Sequence, residues 1–189
     1  GAFSATATTG NITDSGALTV AGSSTFVTGA DGADIKLDTA TNAFSDSVTL
    51  KAGSSGNRTF DDITFVDSGA VTIQTSAATD ADGELLIDGS TDGAVGGDLS
   101  VRSINGNITQ NIALTVTGTT TLQTTTSNNI TLDNASNNFQ GAVGITAGNN
   151  VALVDAGAIV LGASTVSGTY GVTATSGGDI TDTGVLAIT

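Results

Sequence analysis

Residues 106–116 read Gly106-Asn107-Ile108-Thr109-Gln110-Asn111-Ile112-Ala113-Leu114-Thr115-Val116, and the stretch has a counterpart on either side. Gly10-Asn11-Ile12-Thr13, followed by Ala17-Leu18-Thr19-Val20, is the first copy. Gly178-Asp179-Ile180-Thr181, followed by Val185-Leu186-Ala187-Ile188, is the third. The likeness runs on downstream. Thr25-Phe26 matches Thr121-Leu122, Ile35-Lys36-Leu37-Asp38 matches Ile130-Thr131-Leu132-Asp133, and Phe44 matches Phe139. Val48-Thr49-Leu50 then aligns with Val143-Gly144-Ile145, and Val66-Asp67-Ser68-Gly69 with Val154-Asp155-Ala156-Gly157. Matches held in order over such a span mark a long internal repeat, the signature of stacked architectures.

The offsets place the insertions. Ile12 to Ile108 is 96 residues, Leu37 to Leu132 is 95, Val66 to Val154 is 88 and Ile108 to Ile180 is 72. The first copy therefore carries extra residues between Gly53 and Val66, and more after Ile73, within 74–97. The second insertion reads as an extra coil or a surface excursion. The chain is taken as a single segment, 1–189, with repeats at approximately 10–105 and 106–177 and partial repeats at 1–9 and 178–189. Neither end carries a recognisable polar cap, and no leader peptide is legible at Gly1. The expectation is a segment of a longer array, or a unit whose ends stack in a filament.

Short alternating pairs recur inside each repeat, among them Leu18/Val20, Ile35/Leu37, Val48/Leu50, Leu99/Val101, Ile130/Leu132 and Val151/Leu153. Residues i and i+2 share a strand face, so each pair is a minimal strand with two inward aliphatics. Gly, Asn, Asp and Ser between the pairs turn the chain. Composition agrees with this. The chain has 26 Gly, one Glu, no Pro, Cys, Met, Trp or His, and only 4% aromatic residues, so its core must be built from small aliphatics in many thin layers. A hydrophobic fraction of 38% with regular spacing argues against disorder.

The fold class predicted is all-β. A parallel β-helix (β-solenoid) of short strands and a set of tandem β-sandwich repeats both fit. Very short strands, interchangeable inward aliphatics and the absence of Pro favour the β-helix. At two or three strands per turn, one coil would take roughly 20–25 residues.

Charge excludes several functions. The net charge is −14, with Lys36, Lys51, Arg58 and Arg102 the only cations, so no basic stripe exists for nucleic acid. No apolar run has the length of a membrane-spanning helix, roughly 20 residues, so no membrane insertion is expected. With no His and no Cys, the Ser-His and Cys-His catalytic arrangements are ruled out.

The wording Gly-Asn-Ile-Thr, Ala-Leu-Thr-Val, Ile-Thr-Leu-Asp, Asn-Asn-Phe, taken at residues 106–139, is similar to repeats of filamentous-haemagglutinin-like, two-partner-secreted bacterial exoproteins. The resemblance implies a right-handed parallel β-helix, export across an outer membrane, and work in adhesion or biofilm. The family's secretion domain is not recognisable in this sequence.

Candidate sites are few. Asp80-Ala81-Asp82-Gly83-Glu84 has the alternating carboxylates of a calcium loop, with its Gly too early for an EF-hand. Asp80, Asp82 and Glu84 are thus the metal candidates, against a plain turn as the simpler reading, and structural calcium is the one cofactor considered. Gly29-Ala30-Asp31-Gly32-Ala33-Asp34 resembles the Gly/Asp nonapeptide of calcium-binding β-rolls, but Lys36 stands at the apolar position. Asp61-Asp62 near Arg58 is the closest approach to a glycosidase carboxylate pair. The Thr runs at 119–121 and 124–126 lack the Thr-x-Thr on every coil that an ice-binding face needs. Asn11, Asn57, Asn107, Asn129 and Asn134 begin Asn-x-Ser/Thr triplets, the acceptor sites for N-glycans.

The function expected is a non-enzymatic structural or adhesive fibre, secreted or on the bacterial cell surface. Its partners are the chain itself and host-cell, cell-surface or polysaccharide ligands. A self-assembling filament and a carbohydrate-binding or carbohydrate-cleaving β-helix are the alternatives.

Overall fold

The computed structural model describes residues 1–52, 60–74, 84–88 and 93–189. Its described residues form strands, turns and bends and no helix, and every one of their strand pairings is parallel. Sandwiches are built from antiparallel sheets, so the tandem-sandwich alternative does not fit. The arrangement is compatible with a β-helix or solenoid.

Two large sheets share the work, and a third of two strands joins Thr19–Val20 to Ala43–Phe44. The first large sheet holds nine strands, at 3–7, 24–28, 48–52, 84–88, 71–74, 108–110, 130–132, 151–155 and 170–174 in spatial order. Eight successive passes of the chain run through the second, at 12–13, 33–37, 60–67, 99–103, 120–123, 143–148, 159–166 and 180–182. The chain alternates between the two sheets. Partners on a ladder lie 18 to 24 residues apart wherever no insertion intervenes, as in Phe3 with Ser24, Thr120 with Val143 and Val143 with Leu161.

The alternating pairs of the sequence point inward as expected. Ile35, Ile63 and Leu99 stack in one column of the second sheet, each fully buried. Val71, Ile108, Ile130 and Val151 form the matching column of the first sheet. Both columns belong to one hydrophobic cluster between the sheets. The first repeat fills its share with aromatic rings: Phe26 lies 5.5 Å from Phe3 and 6.2 Å from Phe44, which stacks on Phe65 at 5.6 Å. Thin layers therefore suffice to make a continuous core.

The repeat alignment survives in the hydrogen-bond register. Ile12 pairs with Ile35 as Ile108 pairs with Ile130, and Val20 pairs with Phe44 as Val116 pairs with Phe139. Phe26 pairs with Leu50 as Leu122 pairs with Ile145. The copies nevertheless occupy opposite walls. Ile12 and Ile180 lie in the second sheet, whereas Ile108 lies in the first.

The turns between strands are tight enough to demand Gly at places. A Cβ on Gly141 would strike the backbone carbonyl of Gly118 on the adjacent strand turn, whereas a Cβ on Gly16 meets nothing within 4 Å. Gly141→Ala should lower stability by about 1–3 kcal/mol, the usual cost of overpacking, and Gly16→Ala should leave it nearly unchanged. Urea denaturation of the two variants checks this; equal midpoints would refute the close-packed corner.

Candidate functional surfaces and stacked polar columns

A strand ends where its peptide groups turn away from the ladder, and a buried or half-buried N–H left over there needs an acceptor. This chain supplies one from the preceding pass. At the entries to the strands of the second sheet, Asn11 Oδ1 accepts the Asp34 amide at 3.0 Å, and Asp34 Oδ1 accepts the Asp62 amide at 3.2 Å. Asp62 then accepts from the Asp98 amide at 2.8 Å, and Asp98 from the Thr119 amide at 2.7 Å. Before the strands of the first sheet the same pattern uses neutral residues. Asn107 takes the Asn129 amide at 2.8 Å, Asn129 the Asn150 amide at 3.1 Å, and Asn150 the Thr169 amide at 3.0 Å. One column is acidic and the other is not.

Two further pairs of side chains work from inside. Asn42 and Asn137, both fully buried, accept the Leu18 and Leu114 amides at 2.9 Å through Oδ1. Asp67 and Asp155 are 1% exposed. Asp155 accepts the Phe139 amide through Oδ2 and the Gly157 amide through Oδ1, both at 2.7 Å; Asp67 takes the Phe44 and Gly69 amides at 3.0 and 3.2 Å. A carboxylate that accepts two backbone amides is stabilised where it is buried and holds two strand turns together. The repeated Val-Asp-x-Gly stretch is the sequence signal of this role, and sequence reasoning used it only for alignment.

The sequence-predicted sites fare differently from one another. Asp80 and Asp82 lie outside the described residues, as do Arg58 and Asn57; Glu84 begins a strand, and its side chain lies outside them too. Asp34 and Asp62 are members of the acidic column, and Lys36, pointing outward, reaches Asp34 at 3.6 Å and Asp62 at 4.0 Å. Stacking sets these carboxylates in line instead of converging them, and no group of three or more metal-ligating side chains comes together among the described residues. Asn11, Asn107 and Asn129, which begin glycan-acceptor triplets, spend their side chains in the columns. A shallow groove of about 310 Å³ on the outer face of the second sheet is lined by Thr121, Gly144, Thr146, Gly162 and Ala163 among others, none of them titratable. Such a surface can offer hydroxyls for hydrogen bonding but no general acid or base.

Asp14 is the group whose titration matters. Burial raises its pKa, but hydrogen bonds from Asn42, Thr39 and Asp38 outweigh this and hold the carboxyl below its ordinary value. A depressed carboxylate contributes stability that is present above the unfolded-state pKa and is lost as pH falls through the folded one. Gln110 fills the equivalent place in the second repeat and accepts from Asn137 and Asn134 without titrating. Between pH 6 and pH 3, amide-exchange protection should fall at Asp38 and Thr39 and hold at Asn134. Equal loss at all three amides would refute the assignment. In the same protein, Asp155→Ala should cost about 2–6 kcal/mol, because it strands one buried and one half-buried amide at about 1–3 kcal/mol each, and Asp155→Asn, which keeps one acceptor, should cost less. Chemical denaturation measures both.

Comparison with curated proteins finds no match. Nor does any solved structure match the chain. A family model described as repeats of unknown function (DUF5649) matches residues 1–51, 53–146 and 148–189. Nearly the whole chain is covered, and the protein belongs to this family of repeats.

Proposed function

We propose that the chain is a stiff, non-enzymatic stalk segment of a large extracellular bacterial repeat protein, wound as a right-handed parallel β-helix. The observation that carries this reading is the unbroken parallel stacking through both large sheets, with a single core running between them. Each pass contacts the pass before and after it, so stability adds along the axis and length is gained by adding repeats. A design of that kind serves reach and rigidity. The resemblance to filamentous-haemagglutinin-like repeats supports secretion or display at the cell surface and a role in adhesion. Ligands on a host cell, a neighbouring cell surface or a polysaccharide would meet the outer sheet faces and turns. The charge of −14 favours solubility and disfavours polyanionic partners.

The nine-stranded sheet implies a rod about 40 Å long at about 4.8 Å per strand. Electron microscopy and small-angle scattering of the purified chain should show rods of this length at every concentration, and a tandem fusion of two chains should double it. Filaments growing with concentration would favour a self-assembling subunit instead, and compact particles would sink the stalk.

A further inference from the structure

Strand Glu84–Asp88 stands out of chain order. It lies between Val48–Ala52 and Val71–Gln74, with Leu85 paired to Val48 on one side and to Ile73 on the other. The second repeat shows the equivalent ladder, on the opposite wall, without it. There Val143, the equivalent of Val48, pairs directly with Leu161, the equivalent of Ile73. A Cβ placed on Gly162 would come within 3.3 Å of the Gly144 Cα, as neighbouring strands require. The extra strand also gives the first sheet nine strands where the chain makes eight passes through the second. One wall is then longer than the other by one strand spacing, about 4.8 Å, a wedge that the flanking ladders must absorb.

We infer that strand Glu84–Asp88 is an expellable rung, and that the sheet can close behind it by pairing Val48 with Ile73 in the register the second repeat already uses. Burial of Leu85 and Ile87 holds the strand in place at rest. Its one described ion pair, Lys51 with Asp88 at 3.0 Å, is half exposed and contributes little. Expulsion costs that burial, relieves the mismatch between walls and leaves every other rung paired. The device lets one wall shorten by one strand spacing, about 4.8 Å, without unpairing the rest of the stack. What a change of wall length does for a stalk rests on the stalk reading; the exchange of rungs does not.

Two cysteine pairs report the two states, and the chain has no native Cys to confuse them. Thr49 and Leu86 are register partners on adjacent strands, on the face opposite Leu85 and Ile87, so Thr49→Cys/Leu86→Cys should form a disulfide when the strand is in. Thr49 and Gln74 then stand two spacings apart, about 9.6 Å, beyond the ~7 Å a disulfide tolerates. They become neighbours only when the strand is out. Thr49→Cys/Gln74→Cys should stay reduced in the resting full chain and crosslink within one chain in urea below the global unfolding midpoint. In a variant lacking residues 77–92, the same pair should crosslink in native buffer with a yield at least about tenfold above the resting full chain.

No 49–74 crosslink at any sub-denaturing urea concentration would overturn the inference, even if the deletion variant fails to fold. Crosslinks only between chains would overturn it as well, pointing to strand exchange between copies. Compact particles in microscopy would remove the stalk while leaving the exchange of rungs intact.

Discussion

A parallel ladder satisfies its own backbone along the strands, but at each corner a peptide N–H is left pointing along the stack with no carbonyl opposite. The side-chain oxygens of Asn and Asp fill that vacancy, one per pass. Asn107, Asn129 and Asn150 form one such file, and Asn11, Asp34, Asp62 and Asp98 the other. A short acceptor is required, because a longer side chain would lose more rotamer freedom in reaching the same amide. Beside Asp98 and Asn107 the residue is Gly, and a Cβ on Gly97 or Gly106 would strike the backbone of the neighbouring turn. The Gly, Asn, Asp and Thr bias of the chain is thus a consequence of stacking corners and not a mark of disorder.

The same constraint sorts the acidic residues into kinds. Asp67 and Asp155 sit inside and tie turns together through backbone amides, where a substrate would find them already engaged. Asp34, Asp62 and Asp98 sit outside in a file, where mutual repulsion is tempered by Lys36 and by the amides they accept. The second repeat replaces this file with Asn and loses the repulsion along with the charge. Equivalent corners in the two repeats thus share geometry and differ in electrostatics, which leaves the family's scaffold free to vary its surface.

Much of this was legible in the sequence, because a period-2 pair of aliphatics between turn residues constrains both strand and face. Ile35/Leu37, Val48/Leu50 and Ile130/Leu132 all point inward, and the alignment of Phe44 with Phe139 reappears as a shared hydrogen-bond register. The internal carboxylates were not read as such. A lone Asp before a Gly looks like an ordinary turn until the strand that donates to it, 16 residues away for Asp155 and Phe139, is brought alongside. The insertion after Ile73 was read as an extra coil or an excursion, yet strand Glu84–Asp88 joins the sheet its chain had just left. Local pattern specifies that Leu85 and Ile87 face a core; it does not specify between which neighbours.

The opposite placement of equivalent residues follows from counting. Counted over the described strands, the chain crosses between the large sheets seven times from Ile12 to Ile108, leaving aside the intercalated strand, and seven times again from Ile108 to Ile180. An odd number of crossings returns each repeat to the other wall, so Ile12 and Ile180 share a sheet that Ile108 does not. Had the number been even, every repeat would present its turns on one side, and a charged or adhesive feature would form a single stripe. With seven, the acidic file of the first repeat and the neutral file of the second belong to opposite walls. In the proposed stalk, a feature carried once per repeat would alternate sides along the axis, and partners could approach from either flank without crowding one edge. Because the register within each repeat is unchanged, this distribution needs no change in packing. It depends only on the parity of the passes, which the insertion of a rung into one sheet leaves untouched.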